Sequence, residues 1–326
     1  MNRNRSNSWK DAFLASPGPR TLKEALKLSL RGICMGAADV IPGVSGGTIA
    51  LITGIYENLI QAIGSIDLTV FKNLLAFDLK GVLARVHIRF LLALFLGIGI
   101  AIISLARLMN YLLHNHAVLT WSLFFGLIAA SILVVGRQVK QWLGFAGISF
   151  IAGVIVATVI VNLIPVNTPE DLWFIFLCGF VAICAMILPG ISGAFILLIL
   201  GKYEFITATL KNPFLLSNFI VILIFSTGCI IGLLGFSKIL DFMLRRYHNL
   251  TLAFLTGLMT GSMQKIWPWK DILEIRVIRG KEHVIWGQNI LPEAWNTELW
   301  GAIMLAVAGF MAVILLEWLS RERHPD

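Results

Sequence analysis

Two short strings carry most of the chemistry open to this chain. Pro42-Gly43-Val44-Ser45-Gly46 leads into Gly47 and Thr48, and 147 residues later Pro189-Gly190-Ile191-Ser192-Gly193 repeats the pattern. Both lie in apolar sequence, so each proline breaks a helix that would otherwise continue. A serine after the break caps a new helix, whose first-turn amides carry partial positive charge. Gly43 and Gly190 free the backbone to turn, and Gly46, Gly47 and Gly193 let a ligand approach it closely. With the hydroxyls of Ser45, Thr48 and Ser192, each string reads as an anion cradle of the helix-terminus kind. The plainer alternative is that each serine only caps its helix and the glycines allow close packing.

Few other polar groups accompany these strings. Asp39 lies three residues before Pro42, deep in apolar sequence, where carboxylates are candidates for function. Its counterpart in the repeat is Met186, so the paired site is asymmetric. Asp39 either titrates or binds a coupling cation, H+ or Na+, or else caps a neighbouring helix or bonds the loop. Arg107 and Lys238 end two equivalent apolar runs and are candidate entrance bases for an anion, with snorkelling as the alternative. Tyr56, Glu57, Tyr203 and Glu204 also repeat. They stand about 18 Å of helix beyond the serines, so they are expected to anchor hairpin bases at the interface. His114 and His116 share a short turn with no carboxylate partner. The four cysteines lie in apolar stretches without a Cys-x-x-Cys pair and imply neither a disulfide nor zinc. No paired haem histidines and no Walker-type glycine-lysine string occur, so no cofactor and no metal are expected.

The elements that must hold these residues belong to a membrane. Of 326 residues only 13% are charged, against about 25% in a soluble domain. Hydrophobic residues reach 58% and the mean hydropathy is +0.85. Such a chain cannot cover itself with polar groups, so lipid is its solvent. Charge-free runs at 90–106, 117–136, 141–169, 172–201, 212–237, 247–264 and 299–316 make it polytopic. The net charge of +8 gathers beside these runs. With no basic stripe and no stacking platform, it marks orientation and no nucleic-acid partner. Residues 1–20 are polar and basic with no apolar core following, so no removable signal peptide is expected in them.

Basic residues on short loops set the orientation. Arg3, Arg5, Lys10, Arg20, Lys23, Lys27 and Arg31 put the N-terminal segment in the cytoplasm. Lys72, Lys80, Arg85 and Arg89 put 64–89 there as well, so 23–63 enters and leaves from one side. The same alternation leaves 172–206 on the outer side and returns the C-terminus to the cytoplasm. As one helix, 172–206 would run about 52 Å against a hydrocarbon core of about 30 Å, so it folds back on itself.

Internal repetition extends beyond the two strings. The offset of 147 also pairs Gly54 with Gly201, and a second offset of 131 pairs Gly97 with Gly228, Arg107 with Lys238, Gly126 with Gly257 and Ser131 with Ser262. Each half then holds a broken segment and three spans, and an odd number of crossings inverts the second half. The expected fold is an all-α polytopic membrane protein with an inverted-topology repeat, each half a broken, re-entrant helical hairpin plus three transmembrane helices. A cytoplasmic segment, 1–22, precedes a first repeat, 23–165, with hairpin 23–63 and spans 90–112, 117–136 and 143–164. The second repeat, 171–320, has hairpin 172–206 and spans 214–237, 250–266 and 299–318.

The string from Met35 through Asp39 and Pro42 to Thr48 closely resembles the bacterial polyprenyl-phosphate transporter family, PopT type. Leu188-Pro189-Gly190-Ile191-Ser192-Gly193 and the stretch from Gly257 to Trp269 are similar to that family as well. The resemblance implies translocation of undecaprenyl phosphate, the lipid carrier of envelope glycans, to the inner leaflet of the bacterial cytoplasmic membrane. It implies a polyprenyl-phosphate lipid as partner, its phosphate held between the tips by Gly43, Ser45, Gly46, Gly47, Thr48, Gly190, Ser192 and Gly193. A rival is the undecaprenyl-pyrophosphate phosphatase of the bacitracin-resistance type, which shares an inverted repeat and a Pro-Gly-x-Ser signature. That signature continues Arg-Ser and is joined by a Glu-x-x-x-Glu pair, whereas here glycines follow Ser45 and no such pair occurs in an apolar segment. Phosphoryl transfer depends on charge stabilisation, and these strings contain no fixed cation, which favours carrying over cleaving. A small-anion transporter or channel also fits the cradles but leaves the resemblance unexplained.

Overall fold

The computed structural model describes residues 8–39, 45–163, 168–210, 212–278, 281–292 and 295–321. The chain is mostly helical. Short α1 (Trp9–Ala15) precedes α2 (Leu22–Asp39), and after the first break come α3 (Gly46–Ile52) and α4 (Tyr56–Gly64). Two short helices, α5 (Leu68–Leu75) and α6 (Leu79–Arg85), lead to α7 (Ile88–Asn115), α8 (Ala117–Gly136) and α9 (Phe145–Val161). The second half runs α10 (Leu172–Ile187), α11 (Gly193–Ile199), α12 (Tyr203–Thr209), α13 (Leu216–Arg246), α14 (His248–Ser262) and α15 (Thr297–Arg321).

Among the described residues four helices are long and apolar enough to cross a membrane by length and composition, namely Ile88–Leu105 within α7, Ala117–Gly136, Leu216–Arg246 and Thr297–Leu315 within α15. Helices α9 and α10 are apolar but shorter. The apolar helices expose large side chains such as Phe95, Ile103, Ile148, Phe219 and Met304. That arrangement suits lipid, not water.

Both helical segments break where proline and glycine stand in the sequence. Helix α2 ends at Asp39 and α3 opens at Gly46, while α10 ends at Ile187 and α11 opens at Gly193. Residues 40–44, with Pro42 and the candidate Gly43, lie outside the described residues. The half-helices then end alike. Gly54 (φ 70°) and Gly201 (φ 63°) adopt the left-handed conformation that suits glycine. Beyond them, Ile55 N donates to Ala50 O and Lys202 N to Leu197 O, each at 2.9 Å, in matching Schellman closures.

Helix pairing follows the same correspondence. Helix α2 packs along α7 and α10 along α13, while α8 packs on α15 and α14 on α9. Glycine sets the contact in each case. A side chain at Gly97 would strike the Ser29 carbonyl oxygen, and one at Gly228 the Phe176 carbonyl oxygen. Small residues allow such backbone approach where lipid offers no hydrophobic drive for association.

The segment between α14 and α15 holds an element outside the helical expectation. Strands β1 (Lys270–Ile278) and β2 (Lys281–Asn289) form an antiparallel hairpin, Lys270 opposite Asn289 and Ile278 opposite Lys281, irregular at Glu274. The alternation Glu274-Ile275-Arg276-Val277 has the two-residue period of a strand. The expected all-α chain therefore carries one two-stranded sheet.

Gly97→Val and Gly228→Val should each destabilise the protein by about 1–3 kcal/mol, because the added carbons meet backbone that cannot rotate away. Thermal unfolding of purified protein in detergent checks this. Gly235→Val, where no atom lies close, should be milder.

Candidate functional site

The two breaks meet, and side chains of the first half satisfy the backbone of the second. Thr48 Oγ1 accepts from Gly190 N at 2.9 Å. Ser45 Oγ lies 3.2 Å from Leu188 O and 3.5 Å from Met186 O, and donates toward them. Tyr56 OH donates to Ile187 O at 3.1 Å. Thr48 and Tyr56 are almost wholly buried, at 0% and 1% exposure. The expectation that Tyr56 anchors a hairpin base at the interface is corrected here, because its hydroxyl serves the opposite break. Glu57 stays half-exposed, 3.6 Å from His248 Nδ1, and Glu204 is exposed.

The first tip is closed by the protein's own groups. Asp39 Oδ1 accepts from Gly46 N at 2.7 Å, Ser45 Oγ accepts from Gly47 N at 3.1 Å, and Ser45 O accepts from Thr48 N at 3.0 Å. A carboxylate thus occupies the place where a ligand anion was expected. The glycines are accounted for by packing. A carbon added at Gly46 would lie 2.5 Å from Asp39 Oδ2, and one at Gly47 would lie 2.7 Å from Ile187 O.

The second tip differs. Met186, replacing Asp39, offers no oxygen, and Ser192 makes no capping bond. No described residue accepts from the amides of Gly193, Ala194 or Phe195. Gly190, in the left-handed region at φ 89°, packs against Met259 and Ser262 of α14. Gly193 packs closely on Ala182 O of α10. The donors that the sequence expects at both tips are therefore open at one of them.

Basic residues gather at two further places. Lys238 lines a cavity of about 690 Å³ with Arg85, His87, Asp241, Arg245 and Arg246 among its neighbours. Arg85 pairs with Asp67 at 2.6 Å and Arg245 with Asp241 at 3.0 Å, which leaves Lys238 and Arg246 as cations there without a described ion pair. A neighbouring cavity of about 470 Å³ shares His87 and Gln61 and adds Lys27 and Arg31. Arg107 lies in α7, with its side chain outside the described residues.

The second place escaped sequence reasoning. After α14 a single 3-10 turn (Met263–Ile266) carries Lys265, whose Nζ sits 4.3 Å from the Phe195 ring centre in the first turn of α11. Lys270, opening β1, places Nζ 5.4 Å from the Trp121 ring centre and donates to Lys265 O. Burial, with the Lys265 ammonium beside it, pushes Lys270 down to about 8. The available signal was a pair of lysines flanking Trp267-Pro268-Trp269 beside an apolar run. No group of three or more His, Cys, Asp or Glu suited to a metal lies among the described residues.

Residues 35–284 match the family described as undecaprenyl phosphate translocase-like. The chain belongs to that family. It is 46% identical over 273 residues to a polyprenyl-phosphate transporter of Vibrio cholerae serotype O1, covering 83% of this chain and 87% of that protein. It is 32% identical over 255 residues to a polyprenyl-phosphate transporter of Staphylococcus aureus, covering 73% and 85%. No solved structure matches the chain. As a member of the undecaprenyl phosphate translocase-like family it is a membrane protein, and both breaks fall inside the matched residues.

Thr48→Val should destabilise this translocase-like protein by about 1–3 kcal/mol, because it orphans the buried Gly190 amide. Ser192→Ala should cost clearly less, since Ser192 caps nothing. Thermal unfolding of both variants in detergent makes the comparison.

Proposed function

We propose that this chain transports polyprenyl phosphate, undecaprenyl phosphate in the cell, to the inner leaflet of the bacterial cytoplasmic membrane. The observation that carries the proposal is the junction of two broken helices within a chain of the undecaprenyl phosphate translocase-like family. A lipid phosphate needs donors at membrane depth and a way for its tail to stay in lipid. Broken helices meeting in an apolar bundle supply the first, and a lateral opening between helices would supply the second.

In this reading the halves form an inverted repeat of two re-entrant hairpins and six further spans, with both termini cytoplasmic. The recurring helix pairs and the matching Gly54 and Gly201 closures support it. The head group binds at the junction of the tips, where Ser192 and the amides of Gly193, Ala194 and Phe195 provide the free donors. Ser45, Gly46, Gly47 and Thr48 build the opposing wall, and Gly190 turns the chain at the second break. Lys238 with Arg246 receives the head group at the cytoplasmic end, and Arg107 serves the other entrance.

Asp39 gives this site its coupling. Its carboxylate holds the Gly46 amide at 2.7 Å and would repel a phosphate brought beside it. Protonation removes the repulsion and releases the amide, so each head group bound draws in one proton. A sodium ion beside the carboxylate would satisfy the same electrostatic demand.

The test uses proteoliposomes with labelled undecaprenyl phosphate in one leaflet, and measures phosphate release from undecaprenyl pyrophosphate in parallel. Wild type should exchange the lipid between leaflets and release no phosphate, and Ser192→Ala should slow exchange at least tenfold. Asp39→Asn should abolish the dependence of exchange on pH and sodium. Phosphate release by the wild type would make the protein a phosphatase and sink the carrier reading.

A further inference from the structure

We propose that Lys265 and Lys270 form a phosphomonoester subsite beside the second tip, with Phe195 and Trp121 as walls for the first apolar units of the lipid. The proposal rests on the transport reading above and assigns the cations that the tips themselves lack.

Two ammonium groups are brought together here against their mutual repulsion. Lys265 comes from the 3-10 turn after α14 and Lys270 from the first residue of β1, and the Lys270 ammonium bonds the Lys265 carbonyl. Neither pairs with a carboxylate among the described residues. A lysine at a membrane boundary ordinarily extends its ammonium to water. These two are partly buried and lie over aromatic rings instead, at 4.3 Å and 5.4 Å. A dianion placed between them converts the repulsion into two attractions.

The surroundings suit a head group joined to an isoprenoid. Phe195 belongs to the first turn of α11, so Lys265 reaches the tip whose amides are open. Trp267 stacks edge-on against Phe125 at 5.4 Å and against Trp269 at 5.7 Å, which extends the aromatic wall from Trp121. Ile266, between the lysines, clusters with Ala38, the neighbour of Asp39, and with Trp121 and Ile49. Lys265 thus contacts the second hairpin through Phe195, and its neighbour Ile266 joins a cluster with residues of the first. The Lys238 cleft lies at the opposite end of α14, about 22 Å of helix away, so the pair is a separate binding place.

The experiment uses the full-length protein in detergent, with tryptophan fluorescence as the readout because Trp121 lies under Lys270. The probes are farnesyl phosphate, farnesol and inorganic phosphate. Wild type should bind farnesyl phosphate tightest. Lys265→Gln/Lys270→Gln should lose at least tenfold in affinity for it, with farnesol unchanged, and Lys265→Arg/Lys270→Arg should regain most of the loss. Wild-type binding should also weaken as pH rises past about 8 and Lys270 loses its proton. Lys265 is the titratable neighbour facing it, while Trp121 presents a ring and Asp271 is exposed. Farnesyl phosphate affinity unchanged in the glutamine variant, or an equal loss for farnesol, would overturn the subsite.

Leaflet exchange in proteoliposomes separates this proposal from the one it rests on. Lysine-dependent farnesyl phosphate binding by a wild type that exchanges no lipid upholds the subsite and defeats the transport reading. Exchange at the wild-type rate by the glutamine variant defeats the subsite and upholds transport. Unfolding temperatures of the variants in the same detergent identify any loss that comes from misfolding, and the arginine pair then decides the case.

Discussion

A helix interrupted inside an apolar bundle leaves amides and carbonyls that no solvent reaches, and each one left unpaired costs several kcal/mol. This chain interrupts two helices, closes the first break with its own Asp39 and Ser45, and meets much of the second with side chains from the first. The Gly190 amide finds Thr48, the carbonyls of Ile187 and Leu188 find Tyr56 and Ser45, and every buried side-chain nitrogen or oxygen among the described residues has a partner. The remaining packing brings the hairpins to that position. Gly97 and Gly228 let α2 and α10 lie close on α7 and α13, and Gly54 and Gly201 end the half-helices where the next helix must turn.

The junction joins repeated parts whose chemistry is unequal. One tip contains a carboxylate that bonds the first amide of its half-helix, while the other has a methionine in that place and leaves its first-turn amides open. A carrier with two identical anion cradles would hold its cargo equally from both sides and would have no means of sensing a driving ion. The difference between Asp39 and Met186 would, in the proposed mechanism, supply one. In the proposed mechanism Asp39 stands in for the cargo when none is bound, and its own proton equilibrium is then tied to loading.

Cations complete the electrostatics from outside the tips. Lys238 and Arg246 occupy a cleft at one end of α13, and Lys265 and Lys270 stand against aromatic rings beyond the far end of α14. In the proposed reading, cations on either side of the junction would draw a phosphate toward the open donors. Holding fixed cations at the tips themselves would bind the head group more tightly in the ground state and would slow its release.

Composition, charge-free runs and the punctuation by proline and glycine determined what class of protein this is, because lipid and the peptide backbone impose those rules locally. The break positions, the apolar helices and the family-bearing strings were all legible for that reason. Tertiary structure decided which group fills which cradle. Asp39 reaching Gly46 spans seven residues across undescribed chain, Thr48 reaching Gly190 spans 142, and Tyr56 reaching Ile187 spans 131. No periodicity encodes contacts at such separations. The tyrosine expected at the interface turned out to serve the opposite break because burial satisfies its ring and a bare carbonyl satisfies its hydroxyl. The lysine pair was invisible for the same reason, since its meaning lies in rings contributed by α8 and α11, which only the folded bundle brings together.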